Sequence, residues 1–349
     1  MRLVSFEVKT PLAPMERLGL MIDDFVADLN LGARALLEQE GKSNPQRLAD
    51  ALVSPEMIAF LDMGEESLRA AKKTIPFFEA LLKNDKNNFL GNHGERLIYS
   101  QNEIHLLSPV PRPRALRDFF AFEDHALQAS KRRNEPLNES WYDQPVYYKG
   151  NHREIYGPGD TIPWPSYTRR FDFELEIACV IGKKGRNISI DEAGQFIAGY
   201  TILNDFSARD IQKSEMVCRM GPAKGKDFAN GMGPYLLTAD ELPNPNNLKM
   251  SVSINGEKWS EGNSGGRYWS FETMISHISQ EETIYPGDVL GSGTYYTGCG
   301  LDLDRWVNPG DVIELEVENL GKLINVVGAP KEQKQLKYAK HETFHGSHS

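Results

Sequence analysis

The sequence predicts an α+β protein in two parts, a smaller α+β unit over residues 1–108 and a mostly-β domain over 109–330. Three observations carry this. Apolar residues Met57, Phe60, Leu61, Leu68, Ala71, Ile75, Phe78 and Leu81 recur at helical spacing before residue 84. After residue 146 the texture changes to short β-branched and apolar runs bounded by Gly, Pro and Asn. Between them, Pro109, Pro111 and Pro113 alternate, which gives an extended connector and excludes helix interior.

The first unit opens with strands over Arg2–Val8 and Leu18–Leu29. Helices follow over Ala33–Glu40, Pro45–Leu52 and Pro55–Lys83, and Pro76 is expected to kink or split the last one. Leu97–Tyr99 and Ile104–Leu107 read as short strands, and the segment 116–133 as partly helical. In the second domain strands are expected at Val146–Lys149, Phe171–Ile181, Ile197–Leu203, Gly233–Leu237, Leu248–Ile254, Val289–Ser292, Val312–Val317 and Leu323–Val327. Asn255-Gly256 between two such runs signals a two-residue hairpin. Helices are few there: Ile190–Phe196, Ser207–Lys213 and Tyr268–Ser279. The tail 331–349 is polar and carries His341, His345 and His348, which reads as a frayed terminus.

Composition narrows the function classes. Hydrophobic residues make up 40% and charged residues 25%, enough for a substantial core. The net charge is −10, which disfavours nucleic acid and anionic membranes as partners. Cys179, Cys218 and Cys299 are sparse and scattered, the pattern of ordinary thiols in a reducing compartment. The N-terminus has no long apolar stretch and no window reaches membrane-spanning length without charges, so a cytoplasmic protein is expected.

The chemistry concentrates between Phe173 and Gln212. Glu174 and Glu176 sit two apart in a strand-like run, so they share a face. Like charges held together repel unless a cation or proton lies between them. Asp205 ends the following apolar run, and three carboxylates on neighbouring strands suit a hard divalent cation. The spacing alone is weak evidence, because Glu314-Leu315-Glu316 repeats it and reads as a solvated strand face.

A longer pattern sets Glu174 and Glu176 apart. Asp118-Phe119-Phe120-Ala121-Phe122-Glu123-Asp124-His125, Tyr148-Lys149-Gly150, Gly157-Pro158-Gly159-Asp160 and Phe173-Glu174-Leu175-Glu176 each resemble segments of the fumarylacetoacetate hydrolase family. So do Gly225-Lys226 and Gly293-Thr294. The most specific match is the run from Asn204 through Asp205, Arg209 and Gln212 to Lys213. The resemblance covers residues 109–328. It implies a catalytic domain built as a mixed β-sandwich roll, a homodimer, and a small-molecule keto acid as substrate. It also implies a divalent metal, Mg²⁺ with Mn²⁺ or Ca²⁺ as alternatives, held by Glu174, Glu176 and Asp205. Asp118 would be a fourth ligand, unless it caps a helix instead.

The same resemblance makes His125 the general base. Many relatives place a Glu three residues later, but Gln128 stands there. The alternative partner comes from a distant segment, where Asp302 is the match, one methylene shorter than the usual Glu. Arg209, Gln212 and Lys226 resemble oxyanion donors, with ordinary ion pairing as the plain alternative. Tyr148, Lys149 and Thr294 resemble substrate contacts, and Arg132 or Arg133 could reach a second carboxylate. Asn230 falls where some relatives use Thr near the metal. The implied reaction is metal-dependent hydrolysis of a carbon–carbon bond in a 1,3-dicarbonyl acid. Decarboxylation or isomerisation of a keto acid on the same scaffold is the alternative.

Overall fold

A computed structural model describes residues 1–84 and 89–332 of the chain. The histidine-bearing end of the tail therefore lies outside the described residues.

A 12-stranded sheet runs through the whole molecule. Its order is Ile98–Ser100, Phe25–Asp28, Met15–Ile22, Arg2–Val8, Asn230–Thr238, Ile197–Asp205, Leu175–Ile181, Asp288–Gly291, Ala115–Phe119 and Tyr147–Gly150, with two short strands off this path. Neighbours along the path are antiparallel, except that Asp288–Gly291 runs parallel to Ala115–Phe119. The N-terminal unit joins edge to edge, Arg2 opposite Leu237 and Leu3 opposite Leu236. The proline-marked junction near residue 109 thus divides the sequence without interrupting the sheet. Val110, between two of those prolines, is itself fully buried.

The two faces of this sheet carry different layers. On one face lie the helices Leu29–Gln39, Pro45–Leu52, Met57–Asp62 and Glu65–Asn84. On the other lies a five-stranded sheet ordered Glu257–Asn263, Lys249–Ile254, Val312–Val317, Gly321–Val327 and Thr161–Ile162, together with the helix Phe271–Ser279. Strand alternation sorts side chains between them. Ile177, Cys179 and Ile181 enter the inter-sheet core, while Ala178 and Val180 pack under the helices.

Most expected elements are present, and three differences are instructive. The segment expected as one helix over 55–83 breaks at Gly64, whose φ of +59° ends the first piece, whereas Pro76 sits inside the unbroken helix Glu65–Asn84. The expected strand Phe171–Ile181 is divided into Phe171–Asp172 and Leu175–Ile181, and Glu174 lies in the gap. Residues 115–119 form a strand before the helix Glu123–Arg132 starts. Asp118 is therefore no helix cap; Phe122 occupies that position. The Asn255-Gly256 hairpin forms with both residues at positive φ, 51° and 79°, as a type I′ turn requires.

Candidate active site

Three strands of the large sheet bring three carboxylates to one point. Asp118 stands on Ala115–Phe119, Glu176 on Leu175–Ile181 and Asp205 at the end of Ile197–Asp205. All three are buried, and one oxygen from each lies within 4.8 Å of the others. Oxygens sharing Mg²⁺ at about 2.1 Å, or Ca²⁺ at about 2.4 Å, stand no more than about 4–5 Å apart. Asp118 Oδ1, Glu176 Oε1 and Asp205 Oδ1 have no hydrogen-bond donor, although buried polar atoms ordinarily find one. The fourth strand, Asp288–Gly291, makes room for them: Gly291 sits beside Asp118 in the ladder, and a Cβ there would strike its Oδ1 and come 2.8 Å from Glu176 Oε2. Three unpartnered hard oxygens in a cradle opened by glycine fit a divalent cation.

The electrostatics agree with that fit. Burial, then the neighbouring carboxylates, push Glu176 well above the usual carboxylate range. Burial likewise raises Asp205 well above it, despite the counteracting Lys226, and raises Asp118. Burial and the three carboxylates also drive the Tyr148 hydroxyl well up, and that buried oxygen too lacks a partner. Tyr148 pairs with Asp118 in the ladder, which explains why it faces the cluster. Such a group of acids is short of positive charge.

Glu174, expected as a further ligand, borders the trio and supplies none of its three unpartnered oxygens. Its two oxygens are occupied: Oε1 accepts from Arg209 Nη2 at 2.9 Å, and Oε2 accepts from Lys226 Nζ. The same ammonium donates to Asp205 Oδ2. Burial would raise Glu174, but Arg209 and Lys226 outweigh it and hold the acid far below its usual range. Burial lowers Lys226 and Arg209, yet the facing carboxylates raise both overall. Glu174 is thus a buried ion-pair centre bordering the trio.

The second half of the site is a histidine–carboxylate pair. His125, on the helix Glu123–Arg132, places Nδ1 2.8 Å from Asp302 Oδ2, on the short helix Gly300–Leu303. The shorter Asp therefore does reach. Asp302 also accepts from Thr297 N at 3.1 Å and from the Arg132 guanidinium. Burial raises Asp302, but His125 and Arg132 hold it below the usual range overall, so it is an ionised acceptor. His125 Nδ1 then carries the shared proton, leaving Nε2 as the atom that can take one up.

Other expected residues distribute as follows. Gln212 Oε1 accepts from Arg209 Nη1 at 3.1 Å, one helical turn away. Thr294 is buried and spends its hydroxyl proton on Leu175 O at 2.8 Å. Lys149 is exposed and pairs in register with Arg117, on the sheet face opposite Tyr148, because adjacent strand residues point apart. Arg133 is half-exposed and paired with Glu135 and Ser130, outside the site. Arg132, two helical turns from His125, shares its face and takes the position at Asp302. Asn230 is buried beside Asp205 and donates to Asn151 O at 3.2 Å.

Two residues escaped the sequence reading. Cys299 is buried with its sulfur in a group that includes His125 and Asp302, and burial keeps its thiol well above the ordinary range. No pattern marked it. Asp172 accepts from Arg209 Nε at 2.7 Å. Its signal was present, since Asp172, Glu174 and Glu176 alternate along one run.

Sheet and site together define a mixed α/β enzyme scaffold with a carboxylate centre. The family model for the fumarylacetoacetate (FAA) hydrolase C-terminal region matches residues 114–328, and the chain belongs to this enzyme family. Over 330 residues it is 29% identical to the Homo sapiens protein named oxaloacetate tautomerase FAHD2A, mitochondrial, covering 94% of this chain and 91% of that one. It is 28% identical over 315 residues to the Bacillus subtilis protein named oxaloacetate tautomerase YisK, covering 89% and 95%. A maleylpyruvate hydrolase from Sphingobium sp. SYK-6, solved in complex with manganese(II) ion and pyruvate, aligns with a TM-score of 0.62. It is 21% identical, with 94% of this chain and 100% of that chain covered, and speaks for the fold. The two sequence relatives are thus named as tautomerases, and the hydrolase shares the fold. Among the described residues no helix is long and apolar enough to cross a membrane.

Proposed function

We propose that this protein is a divalent-metal-dependent enzyme acting on a small keto acid, with keto–enol tautomerisation of oxaloacetate as its reaction. The observation that carries this is the trio Asp118, Glu176 and Asp205, whose unpartnered oxygens lie in one structure with the His125–Asp302 pair. Similarity to proteins named oxaloacetate tautomerases along nearly the whole chain supports the choice of reaction. Asp118, Glu176 and Asp205 would hold the metal, Mg²⁺ or Mn²⁺, which when bound supplies Lewis acidity toward the oxygens of the keto acid.

The chain's own residues supply proton transfer and charge. His125 Nε2 accepts a proton from the carbon beside the ketone or returns one to it. Asp302 keeps the ring oriented and stabilises the imidazolium between those events. Arg209 and Lys226, held charged by Glu174, Asp172 and Asp205, place fixed positive charge at the border of the trio. His125, Asp172, Glu174, Asp205, Arg209 and Lys226 are buried, so charge among them acts in a lower dielectric than water.

Hydrolysis of an acylpyruvate is the second reading. It is favoured by the same His125–Asp302 pair, which could take a proton from an attacking water. A screen of oxaloacetate and acylpyruvates with Mg²⁺ or Mn²⁺, with and without chelator, separates the two. Chelator-sensitive decay of enol absorbance without acid or carbon dioxide release supports the tautomerase. Loss of diketone absorbance with stoichiometric acid release supports the hydrolase. Absence of any metal-dependent turnover overturns both.

A further inference from the structure

We propose that Asp172 is a positioning residue that locks the two halves of this site together. The proposal rests on reading Arg209 and the His125–Asp302 pair as reaction machinery. Asp172 is 1% exposed, and both of its oxygens are fully engaged. Oδ1 accepts from Phe173 N at 2.9 Å and Gly300 N at 2.8 Å. Oδ2 accepts from Arg209 Nε at 2.7 Å and Leu301 N at 3.0 Å. Four donors match the roughly four lone-pair sites of a carboxylate, so no acceptor capacity is left over.

Those donors come from three separate segments of the chain. Phe173 leads directly into Glu174 and Glu176. Arg209 reaches Glu174 with one nitrogen and Gln212 with another. Gly300 and Leu301 open the short helix whose next residue, Asp302, holds His125. A helix of one turn has little stability of its own, and its first N–H groups need outside acceptors. Asp172 supplies them. It touches none of the carboxylate trio, and it acts on the reaction only through Arg209 and Asp302. Gly300 reflects the closeness of this packing, since a Cβ there would lie 2.5 Å from Asp172 Oδ1.

The test is Asp172→Asn in the Mg²⁺-loaded protein. The amide keeps the size but replaces one acceptor oxygen by a donor, leaving at least two N–H groups facing an N–H₂. The expected result is a fall in kcat of about 10–100-fold, the range seen for outer partners of site residues. KM should stay within about twofold, and Mg²⁺ affinity by calorimetry should not change. The downfield Nδ1–H proton resonance of His125, bonded to Asp302, should broaden or move upfield. Asp302→Asn provides the reference for its full loss. Adding Asp172→Asn to that variant should then change the resonance no further. If Asp172→Asn does not fold, Asp172→Glu, which keeps the charge but displaces the turn, is read by the same signals.

An unaltered His125 resonance with unaltered kcat per folded site, whatever the loss in Tm, overturns the proposal. So does failure of both variants to fold, which assigns Asp172 to stability alone. If the wild-type protein turns over no keto acid, the functional reading fails, and the His125 resonance still decides the role of Asp172.

Discussion

Two segments of this protein carry the same Glu-Leu-Glu motif in opposite surroundings. Glu174 and Glu176 are buried, whereas Glu314 and Glu316 lie on the outer face of the five-stranded sheet with Leu315 turned into the core. Both have a lysine nearby. Lys322 Nζ reaches Glu314 at 2.7 Å and Glu316 at 3.4 Å, all three groups in contact with water. Lys226 reaches Glu174 and Asp205 in the interior, and Glu176 is left with an oxygen that nothing satisfies. Identical spacing therefore produces an ordinary surface pair in one place and a charge-deficient cluster in the other. What differs is the dielectric around the acids and the third and fourth carboxylates that neighbouring strands deliver.

The largest break in this comparison should come from the trio. Glu176→Gln is expected to abolish Mn²⁺ binding in calorimetry and to reduce turnover to the level of chelator-treated wild type. It removes one of three mutually repelling acids, so the metal-free variant should melt no lower than wild type. Glu316→Gln should alter neither quantity. Gly291→Ala puts a methyl group against Asp118 and Glu176, and weaker metal binding with a nearly unchanged circular dichroism spectrum is the expected outcome.

The two lysines sharpen the contrast on an energy scale. Lys226→Met strands Glu174 and Asp205 without their shared cation, and urea unfolding should register a loss of about 3–5 kcal/mol. Lys322→Met removes a solvent-screened pair and should cost about 0–1 kcal/mol. Equal losses at the two sites would show that burial is not what separates them.

The smallest effect concerns acid stability. Asp302 titrates below the usual carboxylate range in the fold, because His125 and Arg132 outweigh the raising effect of burial. Such a group stabilises the protein at pH values above its unfolded pKa of about 4, and that contribution is lost as the pH falls below it. Asp302→Asn should therefore flatten the decline of Tm below about pH 4. A curve parallel to wild type would show that the pair contributes nothing to stability.

Much of this is legible in the sequence. Strand spacing put Glu174 and Glu176 on one face with Asp205 at the end of the next run, and the family pattern pointed to Asp118, His125 and the distant Asp302. The sequence leaves open what long-range geometry distributes among near-equivalent residues. Glu174 and Asp118 were both plausible ligands, and the division of the strand at Phe173-Glu174 turned Glu174 toward Arg209 and Lys226. Arg132 and Arg133 were both open with no helix phase to separate them, and Arg132, two turns from His125, is the one that reaches Asp302. Lys149 and Tyr148 are adjacent, and their roles separate only once it is known which face of the sheet holds the acids.

The sequence by itself determined the α+β class, most strands, the family and the inventory of acids, bases and cations. These depend on local periodicity and on side-chain chemistry, which neighbours in the chain express. Tertiary structure alone decided that the N-terminal unit extends the same sheet, that Asp118 rather than Glu174 completes the trio, and that Asp172 bridges the site. Each of these depends on contacts between segments tens to hundreds of residues apart, where strand order and burial set which charges meet.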